Sequence, residues 1–143
     1  MKPLYTAVST ARGGREGEVT SDDGVLDLAL RHPKELGGPE GDFTNPEQLF
    51  AAGYAACFHS ALKRVAKDRG LDIEPSEITA KVTLGMGDDK AFGLAVTLMG
   101  ALPTLDPPQG DELMQAAHQV CPYSRATRGN IEVTLELAPA PGA

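Results

Sequence analysis

The feature that most constrains this chain is a helix start at Asn45, followed by a long stretch of helical periodicity. Asn45 is a favoured N-cap residue, Pro46 suits the first helical position, and Gln48 stands where a capping-box partner is expected. Apolar residues then recur at helical spacing until Gly70, which is a suitable C-cap. The pattern predicts one helix of about 24 residues, roughly 36 Å long.

The first half of this helix has no charged face. Residues 51–58 contain no Asp, Glu, Lys or Arg, and most of them are small. Such a segment has to be buried on every side, and one thin sheet cannot cover every side of a helix. We therefore expect an obligate dimer that completes the core.

Strand patterns flank the helix on both sides. Alternating apolar residues and turn-forming residues predict three short strands before it, then a hairpin, a second helix and a last strand after it. The order is β-β-β-α-β-β-α-β, an α+β fold. The predicted segments are 4–10, 18–21, 25–30, 78–86, 92–98, 111–120 and 131–137.

Length and charge exclude several classes of protein. The 143 residues suit one domain, predicted over 1–137, with a flexible tail over 138–143. A net charge of −7 disfavours nucleic acid as a partner. No apolar run is long enough to span a membrane, and residues 1–10 do not resemble a secretory signal, so a cytoplasmic location is expected.

The two cysteines, Cys57 and Cys121, form neither a disulfide-rich pattern nor a C-x-x-C motif, so they are either core thiols or reactive ones. Cys57 lies about three turns inside the helix, too far from its start for the helix dipole to act on it. A buried thiol without a nearby cation is inert. Cys121 precedes Pro122, which predicts a chain break near the end of the second helix.

A candidate cation is Arg15, which lies between the glycine pair Gly13 and Gly14 and the single Gly17. Glycines allow a sharp turn that holds a long side chain over a cleft. The same residues also fit an ordinary turn with a solvated arginine, and this segment alone does not decide between the two.

Two long motifs carry a resemblance to a known family. The sequence TNPEQLFAAGYAACF at 44–58, together with VCPYS at 120–124 and ATRGN at 126–130, resembles the organic hydroperoxide resistance family, Ohr, of the Ohr/OsmC superfamily. The resemblance extends over nearly the whole chain. It implies antiparallel sheets wrapped around long central helices in an intertwined homodimer, with each active site near the subunit interface.

The resemblance also implies a thiol peroxidase without metal or haem. Cys57 would be the peroxidatic cysteine, Cys121 the resolving cysteine, Arg15 the cation beside the thiolate and Glu47 the carboxylate that holds Arg15. The implied substrates are organic hydroperoxides, and an entrance lined by apolar residues would suit alkyl or fatty acyl ones. The implied reductant is an external dithiol, a dihydrolipoyl group on a lipoylated partner protein.

Helix geometry restricts the role of Glu47. Cys57 follows Glu47 by ten positions, which on a straight helix means about 15 Å along the axis and roughly 80° around it. One straight helix cannot bring both side chains to one arginine headgroup. We therefore expect either a helix break near Gly53 or a site in which Glu47 and Cys57 meet across the dimer interface.

Several other side chains have two interpretations. A set of apolar residues is predicted to line a substrate entrance, although ordinary core packing explains each of them as well. His59 and His118 are either ligands or proton donors, or packing residues. Arg128 is expected to pair with a helix end. The predicted entrance residues are Leu36, Phe43, Phe50, Tyr54, Phe58, Met86 and Phe92.

Two other functions remain open from the sequence. One is an OsmC-like peroxidase with greater activity on hydrogen peroxide. The other is a non-catalytic module in which Cys57, Cys121 and a histidine bind a metal, or an apolar cleft binds a lipid.

Overall fold

A computed structural model of the chain describes residues 1–139. Its contacts group into two compact units, Met1–Leu49 and the residues from Phe50 onward. The single domain over 1–137 therefore stays a prediction, and each unit is described by itself. Of the expected tail, Ala138 still donates its N–H to the carbonyl of Gly100 at 2.8 Å. Residues 140–143 lie outside the described residues.

The first unit contains a three-stranded antiparallel sheet in the order β1-β2-β3. Its strands are β1 (Ser9–Arg12), β2 (Glu18–Ser21) and β3 (Asp27–Ala29). The predicted first strand began at Leu4, but Leu4 and Tyr5 lie outside β1 with their side chains exposed. The alternation of residue types at the N-terminus therefore does not correspond to a buried strand face within a single chain.

Helix α1 spans Pro46–Asp68. The N-cap is confirmed, because the Asn45 side chain accepts the N–H of Gln48 at 2.9 Å. The capping box is not formed, since the Gln48 side chain accepts a bond from the Thr44 hydroxyl instead. The predicted end is confirmed as well: Gly70 has φ 68° and the N–H of Leu71 returns to Ala66, a Schellman arrangement.

The second unit contains β4 (Glu77–Met86), β5 (Phe92–Ala101), α2 (Pro107–Val120), α3 (Pro122–Thr127) and β6 (Glu132–Leu137). Its sheet has the order β4-β5-β6, and α2 and α3 connect β5 to β6. The hairpin β4–β5 is antiparallel as predicted, but β5 and β6 are parallel. A helical crossover between the two strands permits this direction. The α+β class is confirmed. The expectation that all strands pair antiparallel is wrong for β5 and β6.

Two helical features differ from the prediction. Helix α2 begins at Pro107 instead of Asp111, because Asp106 caps it by accepting the N–H of Gln109. Its two prolines occupy the first turn, where no N–H is needed, so a segment that resembles a loop in sequence is helical. Helix α3 was not predicted at all.

The core of the second unit forms on one face of α1. Tyr54, Phe58 and Leu62 are fully buried there, together with Leu98 of β5 and Leu113 of α2. Burial on all sides is not found in the single chain, since Ala52 and Ala56 of α1 are exposed. The dimer that would cover them stays a prediction.

Within residues 1–139, no helix combines the length and apolar character that crossing a membrane requires.

Candidate active site

The structure brings Cys57 and Cys121 together. Their Sγ atoms are 3.6 Å apart, although Cys57 lies inside α1 and Cys121 lies between α2 and α3. Cys121 is fully buried and Cys57 is half-buried. The predicted chain break is confirmed, because Cys121 has an extended backbone (φ −64°, ψ 125°) and Pro122 begins the next helix.

The surroundings of the Cys57 sulfur oppose its ionisation. Burial raises the pKa of Cys57 above the ordinary thiol value, and the adjacent Cys121 sulfur raises it further. The backbone N–H of Tyr123, in the first turn of α3, lowers the pKa in part. Sequence reasoning missed this donor. The available signal was Pro122, a residue typical of a first helical position.

A close contact to α1 helps to position Tyr123. A Cβ atom on Gly53 would lie 3.3 Å from two atoms of the Tyr123 side chain. The ring of Tyr123 also packs at an angle against Tyr54, with ring centroids 5.8 Å apart. Gly53 therefore serves packing and does not break the helix. Because α1 is continuous through Gly53, the first of the two expected alternatives, a helix break, is wrong.

Arg15 and Glu47 form a bidentate ion pair in the first unit. The two guanidinium nitrogens of Arg15 donate to the two carboxylate oxygens of Glu47 at 2.8 and 2.7 Å. These hydrogen bonds lower the pKa of Glu47 and raise that of Arg15. Both groups are therefore charged at neutral pH and held in a fixed geometry.

The turn that carries Arg15 depends on glycine. Gly13 and Gly14 have φ of 80° and 57°, and residues with a side chain rarely adopt such positive values. A Cβ atom on Gly17 would lie 1.7 Å from the carbonyl oxygen of Arg12. The expectation of a sharp glycine turn is confirmed, and Arg15 lies in its single 3-10 turn, Gly14–Glu16.

Arg31 also supports this turn, and sequence reasoning missed it. Its guanidinium donates to the carbonyl oxygen of Glu16 at 2.8 Å and lies 4.8 Å from the centroid of the Phe43 ring. The side chain therefore fixes the C-terminal end of the turn through a backbone atom. No local pattern reveals such a contact, because Arg31 and Glu16 are distant in sequence.

The predicted entrance residues do not behave alike. Tyr54 and Phe58 have no exposed surface, so they belong to the core and not to an entrance. Phe50 is half-buried against that core. The remaining four are more exposed, and their role in binding substrate stays a prediction: Leu36, Phe43, Met86 and Phe92.

A groove with a volume of about 620 Å³ borders Cys57 in the second unit. Its walls are mixed: Ala61, Val65, Val120 and Pro122 are apolar, whereas Ser60, Arg64 and Asp68 are polar or charged. In the part of the chain that the structure describes, no three His, Cys, Asp or Glu side chains gather as a metal site would require.

The two helical histidines each contact a serine. His59 Nε2 lies 2.9 Å from the Ser76 hydroxyl, and His118 Nδ1 lies 2.8 Å from the Ser124 hydroxyl. Burial lowers the pKa of His118, and the positive charge of Arg128 lowers it further. The expected pairing of Arg128 with a helix end is confirmed, because Arg128 donates to the His118 carbonyl at 2.6 Å in the last turn of α2.

Comparisons with known proteins identify the family of the chain. The family model described as OsmC-like protein matches residues 39–136. The organic hydroperoxide resistance protein of Xanthomonas axonopodis pv. citri is 54% identical over 138 residues, which cover 96% of each chain.

Solved structures are similar as well. The organic hydroperoxide resistance protein of Elizabethkingia anophelis matches with a TM-score of 0.89 and 51% identity, covering 96% of this chain and 99% of that one. OhrB of Bacillus subtilis matches with a TM-score of 0.86 and 52% identity, covering 95% and 100%. The chain therefore belongs to the organic hydroperoxide resistance family of the OsmC-like proteins.

Proposed function

We propose that this chain is a thiol-dependent peroxidase that reduces organic hydroperoxides to alcohols in the response to oxidative stress. The observation that carries the proposal is the pair of thiols, Cys57 and Cys121, whose sulfurs lie 3.6 Å apart. Membership of a family named for resistance to organic hydroperoxides supports a peroxidase role. The apolar part of the groove beside Cys57, formed by Ala61, Val65 and Val120, suits an alkyl substituent.

In the first step the Cys57 thiolate attacks the hydroperoxide oxygen distal to the alkyl group. The O–O bond breaks, Cys57 becomes a sulfenic acid, and the alkoxide leaves and takes up a proton to give the alcohol. Burial disfavours the thiolate, so this step needs positive charge or hydrogen-bond donors near the sulfur. The Tyr123 N–H supplies one such donor.

Arg15 is proposed to supply the remaining charge, from the other subunit of a homodimer. Because α1 is continuous, Glu47 and Cys57 of the same helix do not meet through a helix break. The remaining prediction is a site shared across the dimer interface, where Arg15 held by Glu47 faces the partner's thiolate. A planar guanidinium stabilises both the thiolate and the charge that develops on the leaving oxygen.

In the second step Cys121 resolves the sulfenic acid. Its thiol attacks the sulfur of Cys57, a disulfide forms, and water leaves. The sulfurs are 3.6 Å apart, so closing to the bond length of about 2.05 Å requires them to approach by roughly 1.5 Å. A short approach favours resolution over attack by a second peroxide, which would give a sulfinic acid.

An external dithiol is proposed to restore the thiols, with a dihydrolipoyl group on a partner protein as the reductant. One of its thiolates attacks the disulfide and its second thiol releases the mixed disulfide, which transfers two electrons and two protons. Cys57 is more exposed than Cys121, so an external thiol reaches the Cys57 sulfur more readily.

A turnover assay tests this function. We expect cumene hydroperoxide to be consumed rapidly with dihydrolipoamide, and more slowly with thioredoxin or glutathione or when hydrogen peroxide replaces it. Cys57→Ser serves as the blank. Turnover that persists in Cys57→Ser would contradict the proposed chemistry, and efficient turnover with thioredoxin alone would contradict the lipoyl reductant.

A further inference from the structure

A buried chain of hydrogen bonds passes beside Cys121 and has no part in the proposed chemistry. The hydroxyl of Tyr54 lies 2.8 Å from that of Ser124 and 3.1 Å from that of Thr127. Ser124 in turn lies 2.8 Å from Nδ1 of His118. Tyr54, Ser124 and Thr127 are all buried, so each of these bonds is costly to lose.

The chain links the three helices that position the two sulfurs. His118 precedes Cys121 by three residues on α2, and Ser124 follows it by three on α3. Tyr54 precedes Cys57 by three residues on α1, which puts them on neighbouring positions of one helix face. Cys121 itself lies at the junction of α2 and α3, outside both helices. Its position therefore depends on how α2 and α3 are tied to α1.

The available protons fix the direction of the chain. Each hydroxyl has one hydrogen, and Thr127 also donates to the Ser124 carbonyl at 3.2 Å. For every bond to form, Tyr54 donates to Thr127 and Ser124 donates to Tyr54. Ser124 then has no hydrogen left, so His118 must donate to it from Nδ1.

We infer that the His118–Ser124–Tyr54–Thr127 chain is a brace that positions Cys121 for the resolving step, and that His118 enters it as the Nδ1–H tautomer. These are positioning residues, since they act through the placement of Cys121. Without the brace, Cys121 meets the sulfenic acid less often and a second hydroperoxide competes better for Cys57. The inference about resolution rests on the proposed function, whereas the inference about the tautomer does not.

Three variants separate this role from general stability. His118→Leu and Ser124→Ala interrupt the brace, while His118→Asn keeps a side-chain N–H donor near the position of Nδ1. His59→Leu is the matched control, because it removes another histidine–serine contact, of 2.9 Å, outside the brace. Reduced protein is treated with rising amounts of cumene hydroperoxide and weighed intact, and the first oxidation is timed separately by rapid mixing.

We expect His118→Leu and Ser124→Ala to raise the ratio of sulfinic acid to disulfide by about tenfold at equal hydroperoxide, with the first oxidation changed less than about twofold. His118→Asn and His59→Leu should resemble the unaltered chain. An unchanged ratio in the interrupted variants, an equal rise in His59→Leu, or no rescue by His118→Asn would overturn the brace. If the unaltered chain forms no internal disulfide, the proposed function fails instead.

The tautomer is measured on the unaltered protein, so it does not depend on a variant that folds. Imidazole ¹⁵N shifts and couplings distinguish a protonated Nδ1 from a protonated Nε2 in neutral His118. A proton on Nδ1 is expected. A proton on Nε2 would reverse the direction of the chain and overturn the inference.

Discussion

Arg15 and Cys57 have surroundings of opposite kinds. Arg15 lies in a glycine turn with 35% of its side chain exposed, and two hydrogen bonds to Glu47 fix its charge. Cys57 lies within a long helix beside a fully buried thiol, where burial raises its pKa. The charge of Arg15 is therefore partly solvated, which lowers the free-energy cost of keeping it. The Cys57 sulfur is in surroundings where burial makes the thiolate unfavourable. The proposed chemistry needs both regions, the charge of Arg15 and the sulfur of Cys57.

The largest expected effect comes from removing a sulfur. Cys57→Ser should lower kcat/KM for cumene hydroperoxide by on the order of a thousandfold or more, because a serine hydroxyl stays protonated at neutral pH. Cys121→Ser keeps the nucleophile and should lose sustained turnover while the first oxidation remains fast. Rapid-mixing and steady-state assays on both variants measure this. Equal loss of the first oxidation in the two would contradict their separate roles.

The charged region is tested by Arg15→Lys and Glu47→Gln. Arg15→Lys removes the planar fork and should slow the first oxidation by about a hundredfold, and Glu47→Gln by about tenfold, because the guanidinium keeps its charge but loses its anchor. Glu40→Gln is the matched control, since it removes an exposed ion pair with Lys34 that has no proposed role. A loss in Glu40→Gln as large as in Glu47→Gln would contradict the account.

A smaller effect is expected from Gly53→Ala. The new methyl group would lie 3.3 Å from two side-chain atoms of Tyr123, and we expect the crowded residue to shift so that its N–H stabilises the Cys57 thiolate less. The pKa of Cys57 should rise further, so that less thiolate exists at neutral pH and the first oxidation slows a few-fold. The pH profile of that rate should move to higher pH. Gly85→Ala is the control, because no atom lies within 4 Å of its Cβ.

The smallest effect concerns stability in mild acid. Burial and Arg128 lower the pKa of folded His118, so the unfolded chain binds its proton first as pH falls. This contribution to stability is complete above the ordinary histidine value of about 6.5 and is lost as pH falls through the lower folded value. Urea midpoints at pH 7.5 and 5.5 should therefore differ less in His118→Asn than in the unaltered chain. An equal difference would show that His118 titrates alike in both states.

Local signals predicted the framework of both regions. Three local predictions are confirmed: the Asn45 cap, the helix end at Gly70 and the Gly13–Gly17 turn. Helix caps and positive φ values depend on a few neighbouring residues, so they can be predicted from a short stretch of sequence. The extended conformation of Cys121 followed from Pro122 for the same reason. The bidentate Arg15–Glu47 contact was expected only from a family resemblance.

Long-range features were not predictable in this way. The parallel pairing of β5 with β6, the Arg31 contact to Glu16 and the bonds from Tyr54 to Ser124 join residues that are distant in sequence. Helix α3 is only six residues long, too short to show a periodic pattern. Tyr54 and Phe58 were misassigned to an entrance because an aromatic residue on a helix has the same appearance in sequence whether it lines a cleft or fills a core.

The most direct test of the account is to add one equivalent of cumene hydroperoxide to the reduced protein and determine its intact mass and its peptide map. The account predicts the loss of two hydrogens and a peptide pair joined between Cys57 and Cys121. A protein that gains oxygen on Cys57 while Cys121 stays a free thiol, or that does not react at all, would contradict it.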